Sequence, residues 1–359
     1  MKKIILISIA CSFLLAGCWD ERLYKDLAIV PLIGVEGEPG KFTVHYTYTA
    51  VSNGALSYSA AEGSGVSLRE TRIDANRKAS EILDVSQMEV ILLNEETVKS
   101  NIMESFDVYF RTPRNRLSSR FVVVDGEMAP YMEKSEKMTL ELPDYYAKLI
   151  ETAISFSIAP DIDIQQVDGI IFDDAIDLAL AFVKMSEKTG MPEVSGVALF
   201  SEKVFTGHTL DEKESVIAQL LQKKPEKNVS FTYMWEKDGK SYPITAEPVN
   251  NKRKWDIQNS KIDATYKMNF NIEEFANNHL DEDKTREELE EFLSKKLTED
   301  FNKVIKKMQE AKSDVVGFGR TVRAFHPDLW KKGKWQDTFS ELDIKIKVEA
   351  KIKRTGILN

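Results

Sequence analysis

Leu289-Glu290-Glu291-Phe292-Leu293-Ser294-Lys295-Lys296-Leu297-Thr298-Glu299-Asp300-Phe301-Asn302-Lys303-Val304-Ile305-Lys306-Lys307-Met308 places its apolar residues three and four apart. That spacing predicts one long helix, from about Lys284 to Ala311, with a single apolar stripe. Further on, Ile344, Ile346, Val348, Ala350 and Ile352 alternate with Lys345, Lys347, Glu349, Lys351 and Lys353. A period of two predicts a half-exposed strand, read here as antiparallel. The stripe is too wide for a heptad seam and lasts barely about four heptads, so it is assigned to packing on a sheet in preference to a partner coil. The lysine face of the strand is assigned to solvation in preference to an acidic or lipid partner.

Working back from there, Val194 to Phe200 and Val204 to Gly207 read as a hairpin. Asp211 to Leu221 reads as a helix, and Lys223 to Lys227 as a polar break. Further strands are expected at Val229 to Trp235, Ile244 to Val249 and Lys261 to Phe270. In the first half, strands are expected at Leu27 to Ile33, at Val90 to Leu93 and at Phe121 to Val124. Another covers Phe42 to Ala50, with Phe42, Val44, Tyr46 and Tyr48 on one face. Helices are expected from Arg69 to Leu83, from a cap at Asn94 to about Tyr109, from Pro143 to Phe156, and from Asp173 to Met185. Ser52 to Ser67, rich in Ser, Gly and Ala, reads as a flexible loop.

Strand and helix alternate, so the fold class is α/β (mixed α+β), in three domains, each a mainly antiparallel or mixed sheet packed by helices. Residues 1–17 are a leader, 18–190 an N-terminal α/β region, and 226–359 a C-terminal α+β domain with the long helix on an antiparallel sheet. The change of character at Gly190-Met191-Pro192 opens residues 191–225, the start of the C-terminal region or part of a middle domain.

The leader carries the clearest motif. Lys2 and Lys3 precede the apolar run Ile4 to Leu14, which is too short to span a bilayer, and Leu15-Ala16-Gly17-Cys18 follows. This is the pattern of a bacterial lipoprotein signal, with Cys18 as the lipidated first residue of the mature chain. One acyl chain gives marginal membrane binding, whereas two or three hold a protein on the bilayer. The other cysteine, Cys11, lies inside the leader, so the mature chain has no thiol for disulfides, zinc or catalysis. Loss of Lys2 and Lys3 leaves 47 basic against 58 acidic side chains, a net charge of −11. That balance argues against nucleic acid and against electrostatic attraction to anionic lipid.

No enzyme signature emerges. His45, His208, His279 and His326 are far apart and form no HExxH or HxH arrangement, so no metal is expected. Ser57, Ser64 and Ser119 lie in no nucleophile elbow, and Glu62-Gly63-Ser64-Gly65 lacks the Lys of a phosphate loop. Asp173-Asp174, Asp281-Glu282-Asp283 and Glu287-Glu288 are read as solvating or dipole-matching acids in preference to catalytic ones. No cofactor is expected.

Several stretches resemble the Ger(x)C family, the lipoprotein C subunits of spore germinant receptors. They begin with Gly17-Cys18-Trp19-Asp20-Glu21, Leu27-Ala28-Ile29-Val30 and Gly34. Phe110-Arg111-Thr112-Pro113, Val122-Val123-Val124-Asp125-Gly126 and Val194-Ser195-Gly196-Val197-Ala198-Leu199-Phe200 continue the likeness. The end is the most specific: Asp314-Val315-Val316-Gly317-Phe318-Gly319, Pro327-Asp328-Leu329-Trp330-Lys331, Trp335 and Lys353-Arg354-Thr355-Gly356. Thr112 stands where the family more often has an acid, and Arg320 where it commonly has Glu. The resemblance implies a protein of three α/β domains on the outer face of the spore inner membrane. It would be non-catalytic, needed for nutrient-triggered germination, and assembled with a membrane-embedded A subunit and a transporter-like B subunit. Gly317, Phe318, Gly319, Trp330 and Trp335 are then interface elements or packing residues. A solute-binding lipoprotein of a transport system and a lipid-anchored hydrolase are the rival readings.

Overall fold

A computed structural model describes residues 27–354 apart from 53, 113–114, 223–227, 238, 259, 276–279 and 281. In chain order the N-terminal elements are β1 (Leu27–Ile29), β2 (Leu32–Glu38), β3 (Lys41–Ser52), β4 (Ala55–Gly65), α1 (Leu68–Asn76), β5 (Ile82–Asp84), β6 (Val90–Asn94), α2 (Ile102–Arg111) and β7 (Arg120–Val124). There follow α3 (Ala129–Met132), α4 (Leu142–Ser155), α5 (Ile164–Ile171), β8 (Ala179–Met185), β9 (Pro192–Ser201), β10 (Val204–Leu210) and α6 (Glu212–Gln222). The last elements are β11 (Phe231–Lys237), β12 (Lys240–Gln258), β13 (Lys261–Phe275), α7 (Asp283–Glu310), α8 (Phe318–Phe325), α9 (Pro327–Trp330), α10 (Trp335–Glu341) and β14 (Asp343–Arg354).

Eight strands form one mixed sheet in the order β10-β9-β8-β7-β6-β2-β3-β4, and β1 pairs with β5 beside it. Its centre, β2, β6, β7 and β8, is parallel, with helices on both faces. Such strands are buried on both sides and read as unbroken apolar runs. This is why Asp173 to Met185 is not the helix expected from sequence. Leu178 to Val183 are all buried, with Ala179 onward forming the central strand β8, while the acids Asp173, Asp174 and Asp177 lie in the segment leading into it. The chain turns between β8 and β9 around Gly190, and the two strands pair antiparallel within the same sheet.

The segment from Ser52 to Ser67 is also not a loop. Most of it is β4, paired with β3 from Ser52↔Ala55 to Phe42↔Gly65. Its small residues let α1 lie on the strand backbone: a Cβ on Gly63 would fall 1.9 Å from the Thr71 carbonyl oxygen. The helix expected to reach Leu83 stops at Asn76, whose Oδ1 accepts the Leu83 N–H, 2.8 Å, and the chain becomes β5. The helix expected from Asn94 begins at Ile102 instead, capped by Asn101. Asn94 Oδ1 does accept the Glu96 N–H, 2.8 Å, but in a turn.

The second sheet runs β11-β12-β13-β14. The first three strands are antiparallel, but β14 runs parallel to β13 from Lys261↔Asp343 to Asn271↔Arg354. The antiparallel expectation fails because α7 carries the chain back along the sheet before β14 begins. The long helix itself forms as the stripe dictates: Leu289, Leu293, Leu297, Phe301, Val304, Ile305 and Met308 are buried, and Phe292 is partly buried. Burying a Leu or Phe side chain contributes about 1.5–3 kcal/mol, so this stripe is the main support of the C-terminal core. Helix α6 joins the two halves, because its buried face packs in one apolar cluster with β9 and with the second sheet.

A polar row on α7 was not legible from the apolar pattern. Glu290, Ser294, Thr298 and Asn302, four apart, accept the outward N–H groups of Ile352, Ala350, Val348 and Ile346 at 2.8–3.0 Å. The free edge of β14 is thereby covered by helix side chains. Lysines on its exposed face are ion-paired in part, Lys351 with Glu290 at 2.6 Å and Lys347 with Glu349 at 2.8 Å.

Candidate functional site

Asp314 is fully buried where α7 has ended and α8 has not begun. Its Oδ1 accepts the N–H groups of Gly317, 2.8 Å, and Phe318, 3.1 Å. Its Oδ2 accepts those of Gly319, 2.8 Å, and of the Trp335 indole, 2.8 Å. A carboxylate thus satisfies the orphan donors at the start of α8 and pins a tryptophan from α10 beside it. Gly317 is needed for its left-handed backbone, φ +81°. Gly319 is needed for closeness: a Cβ there would lie 2.5 Å from Trp335 Nε1 and 2.6 Å from the Ala175 carbonyl oxygen.

Ala175 belongs to the N-terminal half, and the contact continues around it. Asp177 Oδ2 accepts the Asp314 N–H, 2.9 Å, while Asp177 Oδ1 accepts from Gln336 Nε2, 3.1 Å, and from the Glu202 N–H, 3.2 Å. The Ser313 hydroxyl donates to the Phe200 carbonyl, 2.6 Å, and Ser201 Oγ donates to that of Lys312, 2.8 Å. Arg320 and Arg323 hold the Asp173 carboxylate at 2.7 Å each. Lys334 pairs with Glu202 at 2.9 Å. Beyond the packing of α6, the two halves are therefore fastened here by buried hydrogen bonds with ion pairs around them.

Burial pushes both central carboxyls up, Asp177 to about 7 and Asp314 to about 6, against the downward pull of their N–H donors. Asp173 behaves differently: burial pushes it up, yet hydrogen bonds from Arg320 and Arg323 hold it below the usual aspartate value.

The aromatic residues singled out from sequence meet here. Phe318 packs on Trp255, 4.5 Å between ring centroids, and on Phe339, 6.4 Å. Trp335 stacks on Trp330, 5.7 Å, and Trp330 carries Arg323 on its ring. Phe318 and Trp335 are buried, whereas Trp330 is half-buried. A cavity of about 510 Å³ lies over this junction, lined by Asp173, Asp177, Glu202, Lys203, Trp330 and Lys334 among others. Asp177, which no sequence motif marked, is as central as Asp314. Its only signal was an acid beside the apolar run of β8.

The pairing of these carboxylates with N–H donors makes a structural clasp, and no side chain in it is placed as a nucleophile with its base. Among the described residues there is no group of three or more His, Cys, Asp or Glu able to hold a metal ion. Among the same residues no helix is long and apolar enough to cross a membrane. Cys18 lies outside the described residues.

Fold and clasp together define a multi-domain α/β protein made of two dissimilar sheet units fastened through a buried aspartate motif. The N-terminal domain profile of spore germination proteins matches residues 20–185, and the profile described as spore germination B3/GerAC like, C-terminal, matches residues 195–356. The chain belongs to this spore germination family. It is 24% identical over 370 residues to spore germination protein GerQC of Bacillus cereus, covering 99% of each chain. With spore germination protein KC of Bacillus subtilis (strain 168) it shares 24% identity over 402 residues, 100% of this chain and 96% of the other. The crystal structure of the GerBC protein has the same fold, with TM-score 0.53 at 20% identity over 89% of this chain and 97% of that one.

Proposed function

We propose that the chain is a non-catalytic, lipid-anchored subunit of a spore germinant receptor, needed for germination triggered by nutrients. The observation that carries this reading is family membership through both halves, at full length, with spore germination proteins. The clasp supports it, because the motif residues are spent on joining two sheet units and so favour a scaffold that works through contacts. In this reading Cys18 bears the acyl chains on the outer face of the spore inner membrane, and the folded body sits against membrane-embedded A and B subunits. Gly317, Phe318, Gly319 and Trp335 shape the body internally, and half-buried Trp330 is the motif residue best placed to touch a partner. A solute-binding lipoprotein would ordinarily close two similar lobes on a ligand, and the eight- and four-stranded units here are unlike.

The test is a Cys18→Ala chain expressed in spores that lack the natural copy. The protein is expected to leave the membrane fraction and nutrient-triggered germination to fall to the level of the deletion strain. Retention in the membrane contradicts the anchor. Crosslinking that captures only a transport ATPase overturns the receptor reading.

A further inference from the structure

Residues 42–61 contain no Asp, Glu, Lys or Arg, in a chain of which 30% is charged. These residues make up most of the β3–β4 hairpin. Near the start of β3 the lack of charge is explained by burial, since Phe42, Val44 and Tyr46 are core residues. At the far end burial explains nothing: Val51 is 76% and Leu56 70% exposed. The two are direct cross-strand partners, so their side chains leave the hairpin on the same face. Gly54 and Ala55 beside them are exposed as well.

The course of the chain gives this tip a direction. Leu32 of β2 lies opposite Thr47 in an antiparallel pair, so tracing back from Leu32 leads toward the tip. The Ile29 N–H donates to Thr49 Oγ1, 3.1 Å, and Leu27 pairs with Ile82, whose side chain is 51% exposed. The chain therefore enters the fold at the end where Val51, Leu56 and Ile82 stand exposed. Cys18 is nine residues before Leu27. At full extension that length spans roughly 30 Å, about the diameter of a small domain.

We propose that the β3–β4 tip, with Ile82 beside it, is a membrane-contact surface that enters the headgroup and upper acyl region of the bilayer holding Cys18. This rests on the anchor reading of Cys18 given above. A short tether from an acylated residue confines this end to the bilayer surface, and an uncharged tip bearing aliphatic side chains suits that boundary. The contact stops short of Tyr58, which lies near the carboxylates of Asp144, Glu89 and Glu141. The net acidic chain supplies no basic run there, so the contact is apolar and insensitive to salt. Its consequence is orientation: with an acyl chain and a hairpin tip both in the membrane, the body is held in one pose.

The mature chain has no free thiol once Cys18 is acylated, which makes a labelled cysteine unambiguous. Lipidated full-length protein carrying Leu56→Cys with an environment-sensitive fluorophore is bound to phosphatidylcholine vesicles containing a spin-labelled lipid quencher. Glu38→Cys is the control, exposed at the end of β2 opposite Lys41, at the other end of β3, about 35 Å along a strand of twelve residues. The expected result is at least about twofold quenching at position 56, unchanged in high salt, and little at position 38. Vesicle flotation is measured on the same samples. Flotation without quenching at position 56 overturns the contact while leaving the anchor standing, and failure to float overturns the anchor. A Val51→Asp chain labelled at position 56 is expected to float and to lose the quenching. Quenching retained in that variant also counts against the proposal.

Discussion

Asp177 and Asp314, 137 residues apart, are hydrogen-bonded in both directions: the Asp177 N–H donates to the Asp314 carbonyl, 3.0 Å, and the Asp314 N–H donates to Asp177 Oδ2, 2.9 Å. One residue precedes a central strand of the first sheet, and the other precedes α8 of the second unit. Each then uses its remaining carboxylate capacity on its own surroundings. Loss of either side chain therefore acts on the junction and on a local element together.

Asp314→Asn is the direct test. An amide has one acceptor oxygen where the carboxylate has two, so whichever way it turns, its NH₂ faces N–H donors that Asp314 now satisfies. Each buried donor left unpaired costs about 1–3 kcal/mol, which predicts a loss of about 3 kcal/mol in denaturant unfolding. A loss below about 1 kcal/mol would show that the four N–H bonds are not what holds the motif.

The same pair predicts a pH dependence. Asp177 is raised from 3.8 to about 7 and Asp314 to about 6 in the folded protein. Between roughly pH 4 and pH 7 the native state keeps protons that the unfolded chain has released, so this contribution is present at low pH and is lost as pH rises. Other carboxylates, such as Asp173, are lowered and slope the opposite way. The informative quantity is therefore the stability of the natural chain minus that of Asp177→Asn, measured by melting at a series of pH values. It should fall as pH rises through this window and level off above it. A difference that is flat throughout would refute the titration of Asp177.

Much of this fold is written in the order of apolar residues, and the parts that were not legible share a cause. The α7 stripe and the β3 alternation are local periodicities, so Leu289 and Phe42 can be placed from neighbours in sequence alone. Leu178 to Val183 could not, because a strand buried on both faces has no period, and the nearby acids resemble a helix start. Ser52 to Ser67 failed differently: small residues there serve contact with α1 over Gly63, and composition alone makes them look like a loop. Asp314, Gly317 and Gly319 stood out as a motif, but the role of the aspartate depends on Asp177 and Trp335, which only tertiary contact brings to it.

Gly319→Ala measures how tightly the clasp is closed. Its new methyl would meet the Trp335 indole nitrogen and the Ala175 carbonyl oxygen, the latter a backbone atom that cannot swing away. Overpacking of this kind costs about 1–3 kcal/mol, despite the better helix propensity of alanine. Trp335 should report it, with a change in fluorescence as its bond to Asp314 lengthens. An unchanged spectrum and a more stable protein would mean that the junction yields to a methyl group here at no cost.

The edge of β14 makes the last prediction. Its N–H groups at Ile346, Val348, Ala350 and Ile352 end on Asn302, Thr298, Ser294 and Glu290 of α7. Thr298→Val and Asn302→Leu together nearly keep side-chain size but remove two acceptors, and about 1 kcal/mol should be lost for each bond. Asn302 also donates to the Ile346 carbonyl, 2.8 Å, so the Leu change leaves an edge group open in both senses. An open edge pairs with other strands, and the double variant should therefore self-associate with concentration as well as unfold earlier. Light scattering during thermal unfolding separates the two effects. A variant that is destabilised yet stays monomeric would show that helix packing alone, without the polar row, protects the sheet.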